Sequence, residues 1–226
     1  MANLNAGHYI VNVTYDRADN HTITTQCINF TVNKQNANII ANNKAYVINY
    51  GGKYSITLKD AKGKVISGNE ITVKFNGETV KSNTTDSKGT VIISLTAKML
   101  KNAKSGKKNL EIKFTDSNYN TASKTVKITV SKEKTTIVAK NKKFKKTEKT
   151  KKYTITLKNS KGKAVKKVKV ILKVKGKTYK AKTNAKGKAT FKIIKLTKKG
   201  KHKATIKYAG NAYYKDAIKK VKIIIK

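Results

Sequence analysis

The sequence predicts an all-β chain built of tandem immunoglobulin-like β-sandwich domains. Three observations carry this: apolar and polar residues alternate, turn signals recur about every ten residues, and the alternating blocks repeat at a fixed register. Tyr153, Ile155 and Leu157 alternate with Thr154, Thr156 and Lys158, and Val168, Val170, Leu172 and Val174 alternate mostly with lysines. Ala189, Phe191 and Ile193 follow the same rule, as do Ala204, Ile206 and Tyr208, then Val221, Ile223 and Ile225. A period of two turns one face of each strand to a core and the other to water. Asn159–Gly162, Lys175–Gly176, Asn184–Gly187 and Ala209–Asn211 break the pattern with turn residues. About seven short strands per repeat of roughly 95 residues is the count of an immunoglobulin-like sandwich. Only Thr96–Ser105 offers a short turn of helix.

The register sets the organisation. KYSITLKDAKGKV at Lys53–Val65 matches KYTITLKNSKGKA at Lys152–Ala164, 99 residues on, and the match holds through Gly77 and Gly176. TDSKGTVIISL at Thr85–Leu95 then matches TNAKGKATFKI at Thr183–Ile193, and GKKNLEIKF at Gly106–Phe114 matches GKHKATIKY at Gly200–Tyr208. GHYIVNVTY at Gly7–Tyr15 and INFTV at Ile28–Val32 repeat the closing strands once more. Residues 1–33 are therefore expected to be the closing hairpin of a truncated repeat. Residues 34–133 form one full sandwich, and residues 134–226 a second, lysine-rich one. A lone hairpin is marginal in water, so the first segment needs cover from elsewhere.

Composition bounds the chemistry. The 226 residues carry 53 basic and 11 acidic side chains, a net charge of +42, with 38% hydrophobic residues. Arg17 is the sole arginine, and lysine lacks the planar fork that reads phosphates and base edges bidentately. A diffuse polyanion suits such a chain better than a sequence-specific nucleic-acid site. Coding bias toward Lys, Asn and Ile explains part of the charge, but it would enrich glutamate as well. The charge is uneven: residues 134–226 hold 34 lysines against Glu148 and Asp216, for +32, and the other 133 residues contribute +10. The chain has no proline, so lysine must protect the sheet edges.

The expected polyanion contacts are the outward lysines of the last repeat: Lys167, Lys169, Lys173, Lys175, Lys192, Lys203, Lys207, Lys220 and Lys222. The rival partner, nucleic acid, calls for aromatic platforms among the cations. Tyr153, Phe191 and Tyr208 fall on inward positions instead, while Tyr179, Tyr213 and Tyr214 lie in or near turns. Asn12, Asn20, Asn29 and Asn83 each open an N-x-S/T motif for N-glycosylation. His8, His21 and His202 are scattered and read as surface positions. Cys27 is the one cysteine and falls on an outward phase. No catalytic set, metal site or cofactor loop is legible, so the expectation is a protein that is not an enzyme. A self-formed Lys–Asn or Lys–Asp crosslink would have only Glu148 and Asp216 for acids in the last repeat. The start, MANLNAGHYIVNVTY, lacks a basic segment followed by an apolar run. Export would then make the chain part of a longer precursor.

With these anchors in hand, the run from KKYTITLKNSKGKA to GKHKATIKYAGNAYYK resembles the terminal Ig-like repeats of adhesin-like surface proteins of methanogenic archaea. The less basic repeat before it resembles their preceding repeats. FTDSNYN at Phe114–Asn120 departs from the pattern where a glycine-bearing loop is expected. The resemblance implies a cell-surface location, stalk or adhesive modules, and association with a cell wall. Three readings stand: a module anchored to an anionic wall polymer or glycan, a passive spacer, and a nonspecific nucleic-acid binder.

Overall fold

Alternation of the kind read above builds sheets wherever turns can reset it, and the computed structural model describes residues 4–15, 24–80 and 84–226. Strands β1 (Gly7–Tyr15) and β2 (Thr24–Val32) form a two-stranded antiparallel sheet. Tyr9 faces Phe30 and Val11 faces Ile28, and the two rings stack at 5.4 Å between centroids. Val11, Val13, Tyr15, Ile28 and Phe30 share this face and remain exposed.

The next stretch contains β3 (Ala37–Ile40), β4 (Lys44–Val47), β5 (Gly52–Asp60), β6 (Ile71–Phe75), β7 (Glu78–Val80) and β8 (Thr90–Leu95). It continues through helix α1 (Ala97–Ala103), β9 (Gly106–Phe114) and β10 (Ala122–Ser131). The last comprises β11 (Thr135–Val138), β12 (Lys142–Phe144), β13 (Lys151–Asn159), β14 (Lys169–Val174) and β15 (Lys177–Lys182). It closes with β16 (Lys188–Ile193), β17 (Gly200–Tyr208) and β18 (Ala217–Ile225). Both stretches pair a three-stranded sheet, β3-β5-β8 or β11-β13-β16, with a five-stranded one, β4-β10-β9-β6-β7 or β12-β18-β17-β14-β15. The chain divides into two compact units: Met1–Ala45, Gly51–Thr96 and Lys107–Thr129, and Tyr46–Tyr50, Ala97–Gly106 and Val130–Lys226.

The core of the last stretch lies between its two sheets. Tyr153, Ile155 and Leu157 of β13, with Phe191 and Ile193 of β16, face Leu172, Ile206 and Ile223 of the other sheet. All are 2% exposed or less, so each contributes about 1.5–3 kcal/mol of burial.

Two turns converge on the Leu157 backbone. In the first, Asn159 Oδ1 accepts from the amides of Lys161 and Lys163 at 3.1 and 2.8 Å, and Val165 N then donates to the Leu157 carbonyl. In the second, Asn184 Oδ1 accepts from Lys186 and Lys188 at 2.9 and 3.0 Å, and the Gly187 carbonyl accepts from Leu157 N at 2.8 Å. These are side-chain-capped turns of the kind Asn and Asp favour. The earlier stretch repeats both with aspartate: Asp60 caps Lys62 and Lys64, Asp86 caps Lys88 and Thr90, and Leu58 takes the place of Leu157.

The second turn admits only glycine. Gly187 has φ +70°, and a Cβ there would lie 2.7 Å from the Leu157 carbonyl oxygen. Gly162 shares the positive φ, yet a Cβ on it meets nothing within 4 Å. Gly162→Ala therefore costs about 1–2 kcal/mol of backbone strain, whereas Gly187→Ala adds displacement of the core strand and costs roughly 3 kcal/mol or more. Urea unfolding of the two variants checks this, and equal midpoints would refute it.

Candidate polyanion-binding face

The alternation that buries Val170, Leu172 and Val174 of β14, Ala204, Ile206 and Tyr208 of β17, and Val221, Ile223 and Ile225 of β18 sends the residues between them outward. Lys169, Lys173, Lys203, Lys207, Lys220 and Lys222 thus share the outer face of the five-stranded sheet, all exposed. The register sets Lys203 directly opposite Lys222, Lys220 opposite Thr205, and Lys169 opposite Lys182. Adjacent strands lie about 4.8 Å apart, and like charges facing each other are unfavourable. Water reduces each repulsion to roughly 1 kcal/mol or less. No strand of this sheet contains an aspartate or glutamate to offset it.

Six of the nine expected contact lysines are therefore gathered on one face, and three are not. Lys192 lies on β16, opposite Lys152 in the three-stranded sheet. Lys167 and Lys175 stand in left-handed turns just outside β14, with φ of 55° and 51°. Both are exposed, but the strand's alternation does not orient them. Tyr179 lies within β15 rather than in a turn, half-buried, with its hydroxyl donating to the Ile194 carbonyl at 2.6 Å.

The histidines separate. His8 is exposed and sits 2.9 Å from the Thr31 hydroxyl, while His21 lies outside the described residues. His202 corrects the surface expectation: it is 7% exposed, and its Nε2 donates to the Lys198 carbonyl at 2.7 Å. Its position between Lys201 and Lys203 is on the inward phase of β17. A one-residue offset between the repeats puts His8 on the opposite phase of its strand from His202. Cys27 is exposed opposite Asn12, and its Sγ donates to Asn12 Oδ1 at 3.1 Å. Asn12 and Asn29 share that polar face of the β1–β2 sheet, both exposed, while Asn20 and Asn83 lie outside the described residues.

Two buried ionisable groups of the second unit, Glu133 and Lys151, are held by hydrogen bonds. Glu133 is 1% exposed and accepts from the Tyr50 hydroxyl, from Asn49 Nδ2 at 2.8 Å and from the Ser160 hydroxyl at 2.9 Å. Three donors thus occupy three of its roughly four lone-pair sites. Lys151 is 2% exposed and donates to the Glu148 carbonyl at 2.5 Å, not to a side-chain amide or acid. Among the described residues no three His, Cys, Asp or Glu side chains cluster to hold a metal, and no helix is long and apolar enough to cross a membrane.

The feature that single-strand reading missed is a systematic loss of acids between equivalent positions. Asp60 and Asp86 become Asn159 and Asn184, Glu70 and Glu78 become Lys169 and Lys177, and Glu111 becomes Thr205. The turn-capping oxygens survive in the two asparagines while their charge does not. The signal was present in the register of the repeats, read column by column.

No protein-family model matches the chain, and no curated protein matches it. Solved structures do. A run of titin domains is 7% identical over 84% of this chain and 66% of that one, with a TM-score of 0.52. Invasin, a bacterial integrin-binding protein, is 17% identical over 85% of this chain and 39% of that one, with a TM-score of 0.48. Titin domains Z1Z2, solved in complex with telethonin, are 10% identical over 86% of this chain and 98% of that one, with a TM-score of 0.47. At 7% identity the likeness to the first of these runs of titin domains supports the fold, tandem immunoglobulin-like β-sandwiches, and nothing further.

One core group remains unsatisfied. The Tyr208 hydroxyl is buried and has no hydrogen-bond partner among the described residues. Burial, with a smaller contribution from Tyr214, pushes its pKa up to about 12. A phenol that keeps its proton in the folded chain, while the unfolded chain loses it near pH ~10, removes stability as pH rises through that window. Tyr208→Phe should be as stable as the wild type or more so at neutral pH, and its advantage should widen from about pH 10 to pH 12. Urea midpoints across that range test the claim, and a constant gap would refute it.

Proposed function

We propose that the chain is a non-enzymatic, adhesin-like module of the cell surface, whose last repeat anchors it to an anionic cell-wall polymer or glycan. The reading takes residues 134–226 as the anchoring sandwich, residues 34–133 as the preceding one, and residues 1–33 as the closing hairpin of another. The observation that carries it is the gathering of six lysines on one sheet face that contains no carboxylate. Such a face attracts polyanions through many weak contacts and depends on salt. The sequence resemblance to archaeal surface repeats supplies the extracellular setting.

A passive spacer is the second reading, and the edge strands favour it. β12 and β15 carry Lys142, Lys143, Lys177, Lys180 and Lys182, all exposed, where lysine discourages edge-to-edge pairing. A nucleic-acid role draws less support, because Tyr153, Phe191 and Tyr208 are buried and leave the lysine face without stacking platforms.

The readings separate in a pull-down of the full chain on isolated archaeal cell wall and on single-stranded DNA across a salt series. A scrambled chain of the same composition controls for charge. The anchoring reading expects the folded chain to hold wall material at about 0.15 M salt after the scrambled one has eluted. Co-elution of the two from both matrices would leave the spacer.

A further inference from the structure

The outer face of β17 and β18 is not flat. A groove of about 500 Å³ runs between them, lined by Asn141, Lys203, Thr205, Lys220 and Lys222 among others. Asn141, just before β12, uses its Oδ1 to accept from the Lys222 amide at 2.7 Å. Its Nδ2 therefore remains as a neutral donor at the groove wall. Lys203 stands opposite Lys222, and Lys220 opposite the Thr205 hydroxyl. Two residues along a strand span about 6.6 Å, so the bases of the three lysine side chains form a triangle with sides of about 5 Å, about 6.6 Å and, on the Lys203–Lys220 diagonal, about 7–8 Å. Their Nζ atoms make no hydrogen bond or ion pair among the described residues. Every group presented, apart from the hydroxyl's lone pairs, is a donor.

The earlier repeat provides an internal control. Asn43 Oδ1 accepts from the Lys127 amide at 2.7 Å, the same tie that Asn141 makes to Lys222. There the Lys127 ammonium donates to Asn109 Oδ1 at 2.6 Å, so that version gives its lone cation an acceptor within the fold. Asn109, Glu111 and Thr125 occupy the positions of Lys203, Thr205 and Lys220. The scaffold is shared, so the fold does not require the cations.

We propose that this groove is an oxyanion site that takes a carboxylate, sulfate or phosphate group of a polyanionic polysaccharide. The inference rests on the anchoring reading and gives it a location. An open groove admits a polymer that passes along it, and three ammonium groups with an amide N–H suit one oxyanion and its neighbours. No aromatic side chain lines the groove, and lysine offers no bidentate fork, so a glycan fits it better than nucleic acid.

Two double variants of the full chain test it. Lys203→Asn with Lys220→Thr installs the residues of the earlier repeat in the groove. Lys188→Thr with Lys152→Asn removes the same charge from the three-stranded sheet. Thermal unfolding first establishes that both fold. Binding is then measured to polygalacturonate, dextran sulfate and oligo-dT at about 0.15 M salt. The groove variant should weaken binding to the acidic polysaccharides on the order of tenfold, and the control by less than about twofold. Equal losses in both variants would overturn the groove while leaving diffuse anchoring intact. Absence of wild-type binding to either polysaccharide would overturn both. Tighter, groove-dependent binding of oligo-dT would reassign the site to nucleic acid.

Discussion

In each full repeat, the backbone of one core leucine receives two turns. Leu157 donates to Gly187 and accepts from Val165, and Leu58 does the same with Gly89 and Ile66. This junction fixes where β13 ends, where β16 begins and how the loop toward β14 leaves the sheet. Because side chains alternate with a period of two, a slip of one residue at any of these points would exchange every inward residue with its outward neighbour. In the last repeat the exchange would drive lysines into the core. The turns therefore hold the register, the register holds the core, and the same register distributes the charge. The lysine face is the complement of the apolar face, written by one alternation.

Most of this was legible in the sequence. Tyr153, Phe191 and Tyr208 read as core and are core, and the helix anticipated within Thr96–Ser105 is α1. The turns of Asn159–Gly162 and Asn184–Gly187 were marked by their glycines and asparagines. What failed did so where periodicity was extended past a turn. Lys175 was already part of a turn signal with Gly176, yet alternation also counted it as a strand residue, and the turn won. Lys167 adopts the left-handed conformation without being glycine, which no local composition announces. His202 was judged by residue type, although its phase on β17 pointed inward.

The candidate site was less legible because it is defined by what is missing. A list of lysines identifies a basic domain but not a face, since cations also occupy turns and the opposite sheet. Only the register separates Lys203, Lys220 and Lys222 from the rest, by placing two of them directly across from each other beside the Asn141 tie that both repeats make. The internal comparison with Asn43, Asn109 and Lys127 then distinguishes what the fold needs from what it merely permits.

The pattern of acid loss bears on whether the charge does more than protect edges. Asp60 and Asp86 serve as turn caps, and an ionised oxygen is the stronger acceptor for backbone amides. Asn159 and Asn184 perform the same capping with a neutral, weaker oxygen. Edge protection gives no reason for that exchange, because the exchanged residues cap turns and Asn159 and Asn184 add no lysine themselves. Solubility gives none either, since +10 already separates the rest of the chain from neutrality. Removing acids from positions where they help the fold raises the potential over the whole repeat at some cost in stability. That trade is intelligible if the repeat's surroundings supply the missing negative charge.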